Sequence, residues 1–350
     1  MGKLITLAAL VLAFAAPAVA NAATGGAVYT LTNAASGNGV AQFTRAADGS
    51  LHYAATYATG GNGTGANLGS QGAVALSGNG KQLFAVNAGS STISEFAVRN
   101  DGLRLEHVFA SNGATPISLT TSKNLLYVLN AGSSTITGFK IDGNGRVEAI
   151  DGSTQPLLGS GPAQIAFSPD GSLLVVTEKA SSTLDTFAVV GGRAQPGVSS
   201  PSAGATPFGF AFDRLGRAFV SEAVGSASSY TVDATGAHVV SGAVATGQGA
   251  PCWLVVTPDG RYAYTANAGG GSISGFAIAG DGSIALASTT PLGAGSHPLD
   301  EAIGPDGRYL DVLVDGRHSI ATFAIGGDGS LTLVGETGAL PAGTVGLAAS

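Results

Sequence analysis

The sequence has few of the residues on which several classes of protein depend. It contains one cysteine, Cys252, so no internal disulfide can form and a site with paired cysteines is excluded. Only 11 % of the residues are charged, the net charge is −7, and the basic residues are scattered singly. Nucleic acid and anionic membranes are poor partners for such a surface. Beyond the N-terminus, no apolar run reaches the ~18 residues of a membrane-spanning helix, so we expect no membrane span.

The first 22 residues predict a signal peptide. Lys3 supplies a positive charge, residues 4–16 form a short apolar stretch, and Ala20-Asn-Ala22 has the small residues of a cleavage site. We therefore expect an exported protein, periplasmic or secreted, whose residues 23–350 form one domain.

Glycine is abundant, with 55 residues, and a short segment recurs along the chain. Three copies are nearly identical: Phe84-Ala-Val-Asn-Ala-Gly-Ser-Ser-Thr-Ile-Ser-Glu-Phe96, Tyr127-Val-Leu-Asn-Ala-Gly-Ser-Ser-Thr-Ile-Thr-Gly-Phe139 and Tyr264-Thr-Ala-Asn-Ala-Gly-Gly-Gly-Ser-Ile-Ser-Gly-Phe276. The polar residues that mark all seven copies are Asn33, Asn87, Asn130, Glu178, Glu222, Asn267 and Asp315. Their spacing of 43 to 54 residues is typical of four-stranded propeller blades. The sequence therefore predicts an all-β fold, a seven-bladed β-propeller.

Each blade is predicted to contain four strands, A to D, from the channel outwards. In the fourth copy, Pro-Asp-Gly171 predicts the A–B turn, and the apolar run after Leu173 predicts strand B. The first copy has no strand A before it, whereas residues 343–349 form a strand with nothing after it. We expect this C-terminal strand to complete the first blade and to close the ring.

Strands A should line a central channel, with the D–A and B–C connections around one mouth. Most of the potentially reactive side chains lie on those connections. The candidates for proton transfer are Glu178, Glu222 and His297, and the candidates for substrate binding are Gln164, Lys179, Trp253, Asp300, Asp315 and Arg317.

Each candidate also has a structural interpretation. An asparagine after strand B is a natural turn residue, because it tolerates a left-handed conformation. Glu178 and Glu222 replace that asparagine, although a turn needs no carboxylate. They are therefore either acid–base catalysts or structural residues. His297 is followed by Asp300 and Glu301 and is either a general base or a surface residue. Trp253 either stacks on a ligand or packs in the core.

No nucleophile elbow, zinc motif or phosphate loop is present. We therefore expect no cofactor and no dedicated metal site, although a single Ca²⁺ or Mg²⁺ at the mouth stays open.

Residues 161–171, which end in Phe-Ser-Pro-Asp-Gly171, and residues 250–268, which begin Ala-Pro-Cys-Trp253, resemble the seven-bladed propeller lactonase family. That family includes 6-phosphogluconolactonase-like and carboxymuconate-cyclase-like members. The resemblance implies a hydrolase that opens a small lactone or ester, with Arg317 or Lys179 steadying the anion. A phosphorylated lactone requires several arginine or lysine side chains around its phosphate. The mouth has only two basic side chains, together with five acidic ones. The partner is expected to be a small molecule and the protein a monomer. The alternative is an exported propeller that binds a ligand or protein on the same face without catalysis.

Overall fold

The protein, described here by a computed structural model over residues 26–142 and 145–350, consists of seven antiparallel sheets. The predicted signal peptide, residues 1–22, lies outside the described residues. Each sheet is one blade with four strands in the order A, B, C, D, and in two blades the outer strand is split into two pieces. The predicted seven-bladed β-propeller is therefore confirmed.

Strands are numbered in chain order. Blade 1 contains β1 (Ala27–Leu31), β2 (Gly39–Arg45) and β3 (Leu51–Ala58), and blade 2 contains β4 (Val74–Leu76), β5 (Gln82–Asn87), β6 (Thr92–Arg99) and β7 (Gly102–Ala110). Blade 3 contains β8 (Pro116–Ser122), β9 (Leu125–Asn130), β10 (Thr135–Ile141), β11 (Val147–Ala149) and β12 (Gln155–Pro156). Blade 4 contains β13 (Pro162–Phe167), β14 (Leu173–Glu178), β15 (Thr183–Val190), β16 (Arg193–Ala194) and β17 (Val198–Pro201).

The remaining blades follow the same order. Blade 5 contains β18 (Pro207–Phe212), β19 (Arg217–Glu222), β20 (Ser226–Asp233) and β21 (Gly236–Ala245). Blade 6 contains β22 (Pro251–Val256), β23 (Tyr262–Asn267), β24 (Ser272–Ile278) and β25 (Ile284–Pro291). Blade 7 contains β26 (Pro298–Ile303), β27 (Tyr309–Val314), the 3-10 helix Asp315–Arg317, β28 (Ser319–Ile325) and β29 (Leu331–Thr337), and the chain ends with β30 (Val345–Ala349).

The C-terminal strand closes the ring, as predicted. β30 pairs antiparallel with β1 and becomes strand A of blade 1. The seam between blades 7 and 1 also holds a buried ion pair between Arg45 and Asp311, whose side chains are 5 % and 0 % exposed. Burial raises the pKa of Asp311, although the Arg45 guanidinium opposes that rise. The ring is thus closed by backbone pairing and by one charged contact between its ends.

Exposure changes along strands A. In β18 and β22 the first four residues are buried and the last two are partly exposed, and β8 and β30 show the same progression. Each strand A starts at the end of the channel formed by the D–A crossovers and B–C turns, named here the crossover end. It finishes at the opposite end, formed by the A–B turns, named the hairpin end. The crossover end is therefore the dry end of the channel.

The B–C turns correct one sequence interpretation. Asn33 has the expected left-handed backbone, with φ of 51°. In blades 2 and 3, however, Asn87 and Asn130 end strand B, and the left-handed residues are Ser91 and Ser134. The asparagine therefore acts through its side chain in these blades. Within the described part of the chain, no helix is long and apolar enough to cross a membrane.

Candidate functional site

The crossover end of the channel is closed by side chains that meet across the ring. The Trp253 indole of blade 6 donates a hydrogen bond of 2.9 Å to the carbonyl of Ser70, in the crossover that leads to blade 2. Its ring lies 4.9 Å from that of Phe208, and both side chains are buried. The Lys179 ammonium lies 4.8 Å over the Phe208 ring and donates to the Gly69 carbonyl. Trp253 therefore seals the channel, and Lys179 is already engaged.

Two glutamines complete the inner edges of neighbouring strands. Strands A have no further strand on the channel side, so their backbone groups need other partners. The Gln71 carboxamide donates to the carbonyl of Leu254 at 2.8 Å and accepts from its amide at 3.0 Å. Gln164 makes the same pair of bonds with Phe210, at 2.9 and 2.7 Å. The predicted binding residue Gln164 thus has a structural role.

Beyond this seal the channel holds a cavity of about 240 Å³. Its walls combine apolar and hydroxyl side chains from strands A, and its lining residues are Gln71, Gly72, Ala75, Leu76, Leu119, Thr120, Thr121, Gln164, Ile165, Ala166, Glu301 and Leu347. The small side chains of Ala75, Thr120 and Ala166 are among them. Glu301 is the one ionisable residue in this lining.

Glu301 is 3 % exposed, and neither of its carboxyl oxygens has a hydrogen-bond partner. Burial raises its pKa well above the ordinary value, the backbone amide of Ala266 opposes that rise, and the adjacent Asp300 adds to it. A buried carboxyl without partners is costly, and a raised pKa is typical of groups that transfer protons. Glu301 is thus the strongest chemical candidate in the channel, although in the sequence it stands out only as a neighbour of His297.

Asp300 is buried on the other side of the same strand. It is 2 % exposed, and burial raises its pKa to about 7, against the opposing effect of the Gly346 backbone amide. Since Gly346 belongs to blade 1, Asp300 faces the seam that closes the ring. Asp300 does not line the cavity. It would therefore affect a ligand only through the electrostatic effect of its carboxylate on the pKa of Glu301.

Glu178 is fully buried beneath the crossover from blade 3 to blade 4. A Cβ on Gly159 of that crossover would lie 1.9 Å from Glu178 Oε2, so the loop backbone packs directly on the carboxyl. Its other oxygen meets Asp185, also fully buried, and these two facing oxygens have no donor unless the carboxyls share a proton. Burial, followed by the repulsion of Asp185, raises the pKa of Glu178 to about 7. The amide of Leu158 donates to Asp185 at 2.7 Å.

Glu222 occupies the same position in blade 5 with a different environment. The amide of Gly204 and the hydroxyls of Ser226 and Ser228 donate to its carboxylate at 2.7, 2.5 and 2.6 Å. Ser202 and Tyr230 donate at 3.2 and 3.5 Å. Five donors and complete burial make Glu222 an anchor for its crossover and for strand C. Asn87 and Asn267 do the same work, since each donates to a serine of strand C, at 2.8 and 2.9 Å.

The remaining candidates lie apart from the cavity. His297 is exposed, and its Nδ1 lies 3.2 Å from the Ala268 carbonyl. Asp315 begins the 3-10 helix of blade 7. Arg317 donates to Glu336 and to the Leu292 carbonyl, both at 2.6 Å. No hydrogen bond or ion pair described for the chain joins His297 to Glu178 or Glu222. The structure therefore does not gather the three predicted proton-transfer residues around one mouth, because two are buried under separate crossovers and the third is on the surface.

No group of three or more His, Cys, Asp or Glu side chains able to hold a metal ion occurs among residues 26–142 and 145–350. Cys252 is buried, which raises its thiol pKa to about 11. It is therefore an unreactive thiol.

A family model described as "Lactonase, 7-bladed beta-propeller" matches residues 22–155, 106–204 and 218–302, which together span most of the chain. No curated protein matches the chain.

Three solved structures illustrate the likeness in fold. A proposed 6-phosphogluconolactonase of Bacteroides uniformis has a TM-score of 0.76 at 20 % identity, and the alignment covers 93 % of this chain and 99 % of the other. The Pseudomonas aeruginosa periplasmic gluconolactonase PpgL has a TM-score of 0.67 at 18 % identity, covering 92 % and 99 %. Apo AztD from Citrobacter koseri has a TM-score of 0.61 at 12 % identity, covering 93 % and 98 %. At these identities, the structures support the fold.

Proposed function

The chain belongs to the seven-bladed β-propeller lactonase family, and from that premise we propose that it is an exported hydrolase that opens a small lactone inside its channel. The observation that carries this proposal is Glu301, a residue in the wall of a cavity of about 240 Å³ whose carboxyl is buried and makes no hydrogen bond. This moves the proposed chemistry from the crossover mouth into the channel. The cavity is somewhat smaller than a pocket for a drug-sized ligand, so it suits a single small ring.

In the proposed reaction Glu301 acts as the general base. Its ionised carboxylate takes a proton from a water molecule as the water oxygen bonds to the lactone carbonyl carbon. The ring C–O bond then breaks, and the same carboxyl returns the proton to the leaving oxygen, which yields a hydroxy acid. The Thr120 hydroxyl accepts from the Phe167 amide at 3.2 Å and so keeps its own proton to donate to the substrate. Gln71 and Gln164 each retain one N–H for the same purpose.

A phosphorylated substrate fits this cavity poorly. Phosphate recognition in proteins relies on arginine, lysine or several backbone amides. Among the described lining residues there is no lysine or arginine, whereas a buried acid is present. We therefore propose an uncharged lactone as the substrate.

The test is hydrolysis of a panel of uncharged lactones by the purified protein and by two variants of adjacent residues. Glu301→Gln should reduce kcat by about 10²–10⁴-fold, the range for loss of a general base. Asp300→Asn should retain activity but shift the pH–rate profile to lower pH, because the repulsion that adds to the Glu301 pKa is removed. In the wild type, the rate should rise with pH through a pKa above the ordinary carboxyl range.

The outcomes are separable. Full activity of a folded Glu301→Gln protein would move the reaction elsewhere. Absence of turnover by the wild type on every lactone would refute the hydrolase and favour a propeller that only binds its ligand.

A further inference from the structure

The two ends of the channel differ in how they are closed, and this decides how a ligand reaches Glu301. At the crossover end, Ser70 and Gln71 connect several blades at once. The Ser70 hydroxyl donates to the Ile117 carbonyl of blade 3 at 2.9 Å, and its carbonyl accepts from Trp253 of blade 6. The Gln71 amide donates to the Ala163 carbonyl of blade 4 at 3.2 Å, and its carboxamide bonds Leu254 of blade 6.

Apolar packing fills the space around these bonds. A continuous buried cluster joins Ala163, Phe208, Trp253 and Leu299, from blades 4, 5, 6 and 7. Gly209 allows this packing, since a Cβ there would lie 2.1 Å from Gln71 Oε1 and 2.8 Å from the Cys252 carbonyl. Opening this end would break hydrogen bonds to three blades and would expose the apolar cluster, and both changes cost free energy.

The hairpin end, in contrast, is exposed to solvent. The last residues of strands A are partly exposed, including Ala75, Leu76, Thr121 and Ala166, all of which line the cavity. Solvent therefore reaches the cavity between the A–B turns.

We infer that the channel is a blind well: its ligand enters from the hairpin end, and the Ser70–Gln71 crossover forms the floor. This inference rests on the proposed function only for the nature of the ligand. Its consequence for the substrate is geometric. The ester group must enter the well first to reach Glu301. A substituent on the ring carbon farthest from the carbonyl would then point towards solvent, whereas a large substituent beside the carbonyl would not fit.

One experiment places cysteines along a single strand. Thr121→Cys puts a thiol at the open end of β8, and Ser118→Cys puts one beside the floor, where the native hydroxyl is fully buried and faces Gly72 of the crossover. Buried Cys252 provides an unreactive background. A maleimide should modify Cys at position 121 at least 10-fold faster than Cys at position 118. Equal rates in folded protein would show an open channel and overturn the inference. Ala166→Cys, also in the lining, replaces Thr121→Cys if that variant does not fold.

A second arm tests access to the reaction. Ala66→Cys places a thiol on the exposed outer surface of the crossover end. With δ-valerolactone as the probe, a bulky maleimide at position 121 should lower kcat/KM at least 10-fold, and the same label at position 66 should change it less than 2-fold. The opposite pattern would refute the hairpin entrance. If no lactone is hydrolysed, the proposed function fails, and the labelling rates still decide whether the channel is a blind well.

Discussion

Replacing Glu178 with glutamine should stabilise the protein at pH 8 and leave its stability nearly unchanged at pH 5. The wild-type pair of Glu178 and Asp185 is fully buried, and its two facing oxygens have no donor other than a shared proton. A glutamine N–H would replace that proton in the same place. The variant therefore imitates the protonated pair at every pH.

The magnitude follows from the pKa. In the folded protein the pKa of Glu178 is raised from 4.5 to about 7, by burial first and by Asp185 second. A raised pKa means that the folded state binds more protons than the unfolded state between these values. The stabilisation is complete below pH 4.5 and is lost as pH rises to about 7. A shift of this size corresponds to about 3 kcal/mol in the free energy of unfolding, which is the upper limit for the gain of Glu178→Gln at pH 8.

The assay is urea denaturation of the wild type and the variant at pH 5 and pH 8. Glu222→Gln is the matched control, because it makes the same change at the same position of the next blade. There the carboxylate accepts from five donors, and an amide would turn its NH₂ towards some of them. This control should lose about 1–3 kcal/mol at both pH values. If Glu178→Gln destabilises the protein at pH 8, or changes stability equally at both pH values, the two carboxyls do not share a proton.

Two further predictions concern the ring and its floor. Arg45→Met should lower the free energy of unfolding by about 3–5 kcal/mol, because it leaves Asp311 charged, buried and unpaired. Calorimetry checks this, and a loss below 1 kcal/mol would mean that backbone pairing of β30 alone closes the ring. Gly209→Ala should cost roughly 1–3 kcal/mol, because the new Cβ would displace the Gln71 carboxamide from Leu254. It should also make Cys252 react with Ellman's reagent under native conditions, and a silent Cys252 in a destabilised variant would argue against displacement of the floor.

The fold was predictable because it depends on local patterns that repeat. One structural element is predicted independently by each of three features: the Pro-Asp-Gly turns, the apolar strands B and the missing first strand A. Because the pattern occurs seven times, an ambiguous copy can be interpreted from the others. In blade 4 the predicted strand B is observed as β14 (Leu173–Glu178), directly after the predicted Pro-Asp-Gly turn. Closure by the C-terminal strand followed from counting strands, since a blade with no strand A requires a partner from elsewhere in the chain.

The position of the site was less predictable, because side-chain direction at a strand end depends on contacts between distant segments. Glu178 and Glu222 were expected at the mouth since they follow strand B. Whether such a side chain faces the channel or lies beneath the crossover depends on glycines 19 and 18 residues earlier in the chain, Gly159 and Gly204. The seal contains Gln71, and the one available signal was the spacing of 54 residues between Asn33 and Asn87, the longest in the chain. The extra length is a crossover that reaches over the channel.

A distinction follows between the polar residues of the repeat and the polar residue of the channel. At the end of strand B, asparagine and glutamate hold neighbouring segments in place. Glu222 binds both its crossover and strand C, whereas Asn130 binds its crossover and Asn87 and Asn267 bind strand C. Glutamate in place of asparagine at this position changes which contacts hold the neighbouring segments, as the carboxyl pair of blade 4 illustrates. The replacement does not by itself create a catalytic site. Glu301 differs because it belongs to the cavity lining and its buried oxygens make no hydrogen bond of normal geometry, although the Ala266 amide lies close enough to lower its pKa. A buried carboxyl without a structural partner lowers stability, and the attacking water of the proposed reaction would be a donor to it.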